Sequence, residues 1–187
     1  MTTWTSAQRT TLVPPLSRAG NWAAVLLASA LLAALAQLRV VLPFTPVPIT
    51  GQTLGVLLVA AALGPRRGAA AVLAYLAEGL LGLPVFAGGG SGLGYLLGPT
   101  GGYLVGFVAA AWVVGAWAQR SGRRLATAWL GFVAGEAVLY AVGLFWLGWY
   151  VGWAQAPALG LFPFLLGDAL KAGLAGLLLP AAWRLVR

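Results

Sequence analysis

The segment LFPFLLGDALKAGLAGLLLPAAW, residues 161–183, decides the fold class, because it holds charged residues within an apolar run. It is long enough for a membrane-spanning helix, which needs about 20 predominantly apolar residues. It nevertheless contains Asp168, one of only 3 acidic residues, and Lys171, the only lysine. A charged side chain facing lipid at a helix centre costs roughly 2.5–3.5 kcal/mol or more. We therefore expect both side chains to face the inside of a helical bundle.

The composition extends this expectation to the rest of the chain. Of 187 residues, 61% are hydrophobic and only 7% are charged. A soluble domain carries about 25% charged residues, so a chain this poor in charge cannot cover a water-facing surface. The composition predicts an all-α, polytopic membrane protein whose bulk faces the lipid bilayer or other protein.

The residue inventory also excludes several chemistries. The chain has no cysteine and no histidine, which removes disulfides, cysteine nucleophiles, Cys/His zinc sites and imidazole catalysis. We expect no metal and no cofactor. The net charge of +8 does not indicate nucleic acid as a partner, because the arginines lie in short gaps between apolar runs.

Six apolar spans follow one another, and each is expected to form a transmembrane helix. The second and third are short for a bilayer, so we expect a tight hairpin around GPRRG, residues 64–68. The spans are approximately residues 21–38, 51–64, 68–82, 100–117, 125–150 and 163–183.

The arginines indicate the orientation of these spans. With six spans, all basic residues except Arg39 and Lys171 fall on one side, which the positive-inside rule makes cytoplasmic. We expect a cytoplasmic tail at residues 1–20, a six-helix substrate-binding domain at residues 21–187, and both termini inside. The expected location is the cell membrane, or the inner membrane of a Gram-negative bacterium. The cytoplasmic basic residues are Arg9, Arg18, Arg66, Arg67, Arg120, Arg123, Arg124, Arg184 and Arg187.

Asp168 and Lys171 are the first candidate site residues. Residues three apart share a helix face, so the two side chains can point into the same space. One interpretation is a structural ion pair. The other is a polar floor for a ligand, with donors from Lys171 and an acceptor from Asp168.

Two further segments carry candidate binding residues. In TPVPITGQT, residues 45–53, the prolines favour an extended chain and place Thr50 and Gln52 at the start of the second span. In GLPVFAGGGSGLGYLLGPTGG, residues 82–102, glycines such as Gly89 allow close approach, and Phe86 and Tyr95 offer stacking surfaces. A rigid turn and a flexible loop are the structural alternatives.

The two glutamates lie within apolar spans. Glu78 lies near the end of the third span and is a candidate substrate-binding residue. Glu136 lies inside the fifth span and has no evident partner in the sequence. It can pair with an arginine, bind a proton or cap a neighbouring helix.

The first span contains a stripe of small residues in ASALLAALAQ, residues 28–37. Small residues let helices approach closely in lipid. The stripe can serve internal packing or docking to another membrane subunit, and GFVAG at residues 131–135 can do either. The docking candidates are Ser29, Ala30, Ala33 and Ala34.

Four ordered motifs resemble the BioY family, the biotin-binding S components of energy-coupling factor transporters. They are TPVPITGQTLGVLL, GLPVFAGGGSG, GPTGGYLVGF and PFLLGDALK. The resemblance implies six helices, an outward-facing biotin pocket roofed by loops, and a first helix that docks to a coupling subunit energised by two ABC-type ATPases. Asp168 and Lys171 match the family's polar pair, and Gln52 and Gly89 fall on or beside its other pocket positions.

These observations predict a biotin-binding transport subunit and not an enzyme. The alternative is a self-sufficient proton- or ion-coupled carrier in which Asp168, Glu78 or Glu136 titrates. An intramembrane enzyme is the weakest hypothesis, because the chain lacks histidine and cysteine and no serine neighbours the lysine.

Overall fold

The computed structural model describes residues 17–121 and 125–185, which form a bundle of long helices joined by short segments. The helical content agrees with the all-α class that the composition predicts. Two short strands pair antiparallel, with Arg39 opposite Thr50. The helices are α1 (Arg18–Gln37), α2 (Gln52–Leu80), α3 (Gly92–Leu96), α4 (Gly101–Ser121), α5 (Leu125–Val151), α6 (Ala156–Gly160) and α7 (Phe162–Leu185), and the strands are β1 (Arg39–Val40) and β2 (Ile49–Thr50).

Helix α2 reverses direction at Gly64 and is therefore a hairpin of two helical rods. Gly64 has φ 81° and ψ 177°, a conformation that is essentially restricted to glycine, and Pro65 suits the first turn of the returning rod. Gln52 Nε2 donates to Tyr75 Oη at 2.6 Å, although a straight helix would separate these residues by about 35 Å. The predicted hairpin around GPRRG is confirmed.

Within the described part of the chain, 5 helical segments are long and apolar enough to cross a membrane. Because one of them is the α2 hairpin, the bundle contains six rods, as the sequence predicts. The segments are Arg18–Gln37, Gln52–Leu80, Gly101–Arg120, Trp129–Val151 and Ala156–Leu177.

The connections divide the bundle into two different ends. The segments 38–51, 81–100 and 152–161 gather at one end, which we call the loop end; the Thr45 hydroxyl, for example, donates to the Leu159 carbonyl at 2.6 Å. The opposite end, which we call the turn end, carries the Gly64 reversal. Arg67 donates there to Asn21 near the start of α1 at 3.4 Å.

The basic residues sort between these two ends. Arg18, Arg66, Arg67 and Arg120 lie at the turn end, because each adjoins a helix terminus on that side. This grouping is the one that the positive-inside rule requires, and the orientation itself stays a prediction. Arg9, Arg123, Arg124 and Arg187, like most of the predicted tail, lie outside the described residues.

The core lies between α2, α4, α5 and α7. Helix α2 packs against α1, α4 and α7, and α5 packs against α4 and α7. The largest fully buried side chains come from several of these elements and from the segment after α2. They are Tyr75, Phe86, Phe132, Leu32, Leu57 and Leu147.

Candidate functional site

A cavity opens among α2, α4, α5 and α7 beneath the loop end. About 50 Å³ of it is open to the centre of a water molecule, whereas one water needs roughly 10–15 Å³ by this measure. Its polar lining consists of Thr50, Gln52, Thr53, Thr100, Asp168 and Lys171, and its aromatic lining of Tyr95, Tyr103, Phe107, Tyr140 and Phe164.

Asp168 and Lys171 form an ion pair at the floor of this cavity. Lys171 Nζ lies 2.8 Å from Asp168 Oδ1, and the side chains are only 15% and 5% exposed. The Tyr140 hydroxyl donates to the other carboxylate oxygen, Asp168 Oδ2. The carboxylate is therefore held by two donors from two helices, and it retains lone pairs that a ligand N–H can use. The ammonium group likewise retains donors for a ligand carbonyl.

A second polar group lies where β2 meets α2. The Thr50 hydroxyl donates to Gln52 Oε1 at 3.0 Å, and Gln52 Nε2 donates to Tyr75 Oη at 2.6 Å. Gln52 is only 4% exposed. The structure thus brings both predicted residues to the cavity wall and fixes the orientation of the amide.

Tyr95 is the aromatic residue of the glycine-rich segment that reaches the cavity. Its ring stacks on Phe86 with centroids 5.0 Å apart, and a Cβ at Gly90 would overlap it. Burial raises the pKa of the Tyr95 phenol, while the Thr100 side chain and the charge of Arg39 act in the opposite direction. The phenol is therefore a neutral donor, and it donates to the Ala87 carbonyl at 3.4 Å.

Phe86 and Gly89 lie behind this surface and do not line the cavity. Phe86 is 0% exposed, and it packs edge-on against Tyr75 at 5.5 Å. The Gly89 N–H donates to Gln37 Oε1 at 3.1 Å, and Gln37 Nε2 donates to the Phe86 carbonyl at 3.2 Å. These two predicted residues shape the loop that presents Tyr95.

Glu78 likewise does not line the cavity. It accepts a hydrogen bond from the Ser29 hydroxyl at 2.6 Å, and Ser29 is 1% exposed. The predicted docking stripe is therefore divided, because Ser29 and Ala33 face α2 and the core whereas Ala30 and Ala34 are exposed. Docking stays a prediction for the two exposed alanines.

Glu136 lies on α5 one turn from Tyr140 and belongs to the charged cluster below the cavity. Its carboxyl group interacts electrostatically with both Asp168 and Lys171. Its Oε1 atom is buried and has no hydrogen-bond partner among the described residues. The arrangement thus holds two carboxylates and one ammonium group.

Sequence reasoning missed Tyr140 and Tyr103, which line the cavity. The Tyr103 hydroxyl donates to the Gly160 carbonyl at 2.8 Å and so ties α4 to α6. A tyrosine within a spanning helix carries a polar group that requires a partner. Tyr140 also shares a face with Glu136, four residues earlier, and this spacing is the signal that points to it.

A larger vestibule of about 380 Å³ adjoins the cavity at the loop end. We call it the mouth. Pro48, Ala87, Tyr95 and Thr100 line both spaces, so the mouth is the path from the loop end to the cavity floor. Arg39 is the charged residue that lines it.

Among the described residues, no cluster of three or more histidine, cysteine, aspartate or glutamate side chains can hold an ion. What the site offers is an acceptor, a set of donors and aromatic walls inside a membrane-spanning bundle. Such a fold and site define a membrane protein that can bind a small molecule with complementary polar groups.

Comparisons with known proteins identify the family. The model of the BioY family matches residues 6–187. A biotin transporter BioY from Rhizobium etli is 39% identical over 146 residues, 73% of this chain and 78% of the relative. One from Thermotoga maritima is 38% identical over 140 residues, 73% of this chain and 81% of the relative. The chain belongs to the BioY family.

A solved structure is also similar to this fold. It is the structure of the S-component for biotin from an ECF-type ABC transporter, and it matches with a TM-score of 0.81 at 25% sequence identity. The match covers 89% of this chain and 94% of that chain. The predicted family resemblance is confirmed over nearly the whole sequence.

Proposed function

We propose that this chain is the biotin-binding membrane subunit of a vitamin uptake transporter. Its family membership, the names of its relatives and its similarity to the solved S-component for biotin support biotin as the ligand. Its role is to capture the vitamin in the membrane and not to transform it chemically.

The observation that carries this proposal is the floor formed by Asp168, Lys171 and Tyr140. The ureido ring of biotin has two N–H donors and one carbonyl acceptor. A carboxylate beside an ammonium group is complementary to that edge, because the carboxylate accepts from an N–H while the ammonium donates to the carbonyl. The ion pair at 2.8 Å holds the two groups side by side at the floor of the cavity.

The cavity walls suit the rest of the molecule. Tyr95, Tyr103, Phe107 and Phe164 line the cavity and offer apolar surface to the thiophane ring and the valeryl chain. Small-molecule sites combine such walls with a few polar groups that fix orientation. The Thr50 hydroxyl and the Gln52 amide supply further polar contacts at the side of the cavity.

The proposed subunit obtains the energy for transport from partner proteins. The sequence lacks the G-x-x-x-x-G-K-[ST] motif of a P-loop ATPase, and the similar structure belongs to an ECF-type ABC transporter. We infer a transmembrane coupling subunit and two ABC-type ATPases as partners. The exposed Ala30 and Ala34 on α1 provide a surface of small residues for docking.

Isothermal titration of biotin into the detergent-purified chain tests the function. We expect one biotin per chain, and mass spectrometry should identify biotin among small molecules that co-purify. Lipoate is the matched control ligand, because it has a carboxylate and a sulfur ring but no ureido group. Equal binding of lipoate, or no binding of biotin, would contradict the proposal.

The alternative function is proton-coupled uptake by the chain alone. The observation in its favour is the buried Glu136 Oε1, which has no hydrogen-bond partner among the described residues. Proteoliposomes that contain only this chain distinguish the two functions. Biotin uptake driven by a pH gradient, and abolished in Glu136→Gln, would support the carrier, whereas binding without uptake supports the subunit.

A further inference from the structure

The mouth is lined by a cationic side chain, Arg39, that takes no part in the Asp168–Lys171 pair at the floor. Arg39 is on β1, directly opposite Thr50 on β2, and Thr50 lines the inner cavity. The two-stranded sheet therefore fixes Arg39 at the mouth end of the path to the floor. Its side chain is exposed, so it can meet an anion before that anion is buried.

The Arg39 guanidinium group lies at a defined position against the glycine-rich segment. A Cβ at Gly88 would overlap the Arg39 guanidinium, so this group lies in the space that the missing side chain leaves. Gly88 has φ +72°, which favours glycine. Gln37 holds the next residue through the Gly89 N–H at 3.1 Å. The end of α1 and the glycine-rich segment therefore form the position of the guanidinium group together.

No acidic residue neutralises Arg39 in the described part of the chain. The ion pair found among those residues joins Lys171 to Asp168. The other residues that line the mouth are apolar, hydroxyl-bearing or phenolic, and none is acidic. The charge of Arg39 is thus available to a ligand.

The floor, in contrast, is a poor place for a second anion. The Lys171 charge is already compensated by Asp168, and Glu136 adds another carboxylate within the same electrostatic cluster. A ligand carboxylate placed there would compete with Asp168 for Lys171, and like charges in a desolvated site repel strongly. A ligand with a neutral polar end and an anionic end should therefore enter with the neutral end first.

We propose that Arg39 receives the carboxylate of the bound substrate at the mouth and thereby fixes the direction in which the substrate enters. This inference rests on the proposed function, because it takes biotin as the substrate. The ureido ring then meets Asp168 and Lys171, and the valeryl chain runs past Tyr95 to the guanidinium. Arginine suits the task because its planar fork can bind a carboxylate through two parallel hydrogen bonds.

The test pairs the loss of the residue's charge with the loss of the ligand's charge. Biotin and biotin methyl ester are titrated into the wild type, Arg39→Gln and Arg39→Lys, with Arg66→Gln at the turn end as the matched control. We expect Arg39→Gln to weaken biotin binding roughly two- to fivefold, as for an exposed ion pair, and to change ester binding less than twofold. Arg39→Lys should retain part of the preference for biotin over its methyl ester, and Arg66→Gln should retain all of that preference.

Two results would overturn the role of Arg39 without contradicting the proposed function. An equal loss for biotin and its ester would make Arg39 a support for the loop, and unchanged biotin affinity in Arg39→Gln would remove it from recognition. Failure of the wild type to bind either ligand would contradict the proposed function and this inference together. Raising the salt concentration should weaken wild-type binding of biotin but not of the ester, because exposed charges are screened.

Discussion

At the scale of single residues, the most consequential contact is the hydrogen bond from Tyr140 on α5 to Asp168 on α7. Asp168 is 4% exposed, and its two oxygens are held by different donors. A buried carboxylate is expensive unless it is paired and hydrogen-bonded. Tyr140 therefore both lowers the cost of burying the charge and sets the direction in which Asp168 meets a ligand.

Tyr140→Phe should weaken biotin binding roughly two- to tenfold, because it removes one hydrogen bond worth about 0.5–1.5 kcal/mol and leaves the ring in place. Isothermal titration measures the change. Tyr150→Phe is the matched control, since that hydroxyl donates to the Leu97 carbonyl and does not line the cavity. Wild-type affinity in Tyr140→Phe would limit Tyr140 to a structural role.

The residue scale also shows what sequence could predict of the site. Asp168, Lys171, Thr50, Gln52 and Tyr95 line the cavity as expected. For Asp168 and Lys171, helix periodicity and the cost of lipid-facing charge determine where the side chains point. Glu78, Gly89 and Phe86 do not line it. Their positions depend on which neighbouring element each one meets, and a single sequence does not encode those pairings in any local pattern.

At the scale of elements, the α2 hairpin depends on one glycine. Gly64→Ala should lower the melting temperature by several degrees, because a side chain in that backbone conformation costs on the order of 1–3 kcal/mol. Gly173→Ala in α7 is the control, since its Cβ would meet Trp129 at an ordinary 3.8 Å. An equally stable Gly64→Ala would contradict the tight reversal.

Helix α1 packs mainly against α2 and leaves one side exposed. Ala30→Leu or Ala34→Leu should preserve biotin binding but reduce co-purification of the coupling subunit, because larger side chains keep helices apart in lipid. Ala137→Leu is a matched control at an exposed position on α5. If the partner were retained in both α1 variants, the small-residue face would not be the docking surface.

At the scale of the whole molecule, the charge pattern and the fold describe the same bundle. The sequence predicts six spans because only an even number places the arginine clusters on one side, and the Gly64 reversal supplies the extra rod. Sequence could not locate the cavity among these rods, because α2, α4, α5 and α7 meet only through long-range packing of residues such as Tyr103 and Phe107.

Orientation is testable because the chain has no cysteine. Leu81→Cys, at an 86% exposed position at the loop end, should react with a membrane-impermeant maleimide in intact cells. Arg66→Cys at the turn end should react only after the membrane is opened, because the positive-inside rule makes that end cytoplasmic. The reverse pattern would show that the loop end faces inward.

The central claim is that biotin binds on the Asp168–Lys171 pair, and titration of biotin into Asp168→Asn, Lys171→Met and the double variant tests it most directly. Each single change should weaken binding about ten- to hundredfold, since a hydrogen bond to a charged group is worth about 1.5–3 kcal/mol. The double variant should still bind biotin weakly, even where its melting temperature recovers. Removing both charges avoids leaving one buried charge unpaired, but it also leaves no charged partner for the ureido ring. Wild-type affinity in the double variant, with stability restored, would contradict the claim and make the pair part of the scaffold.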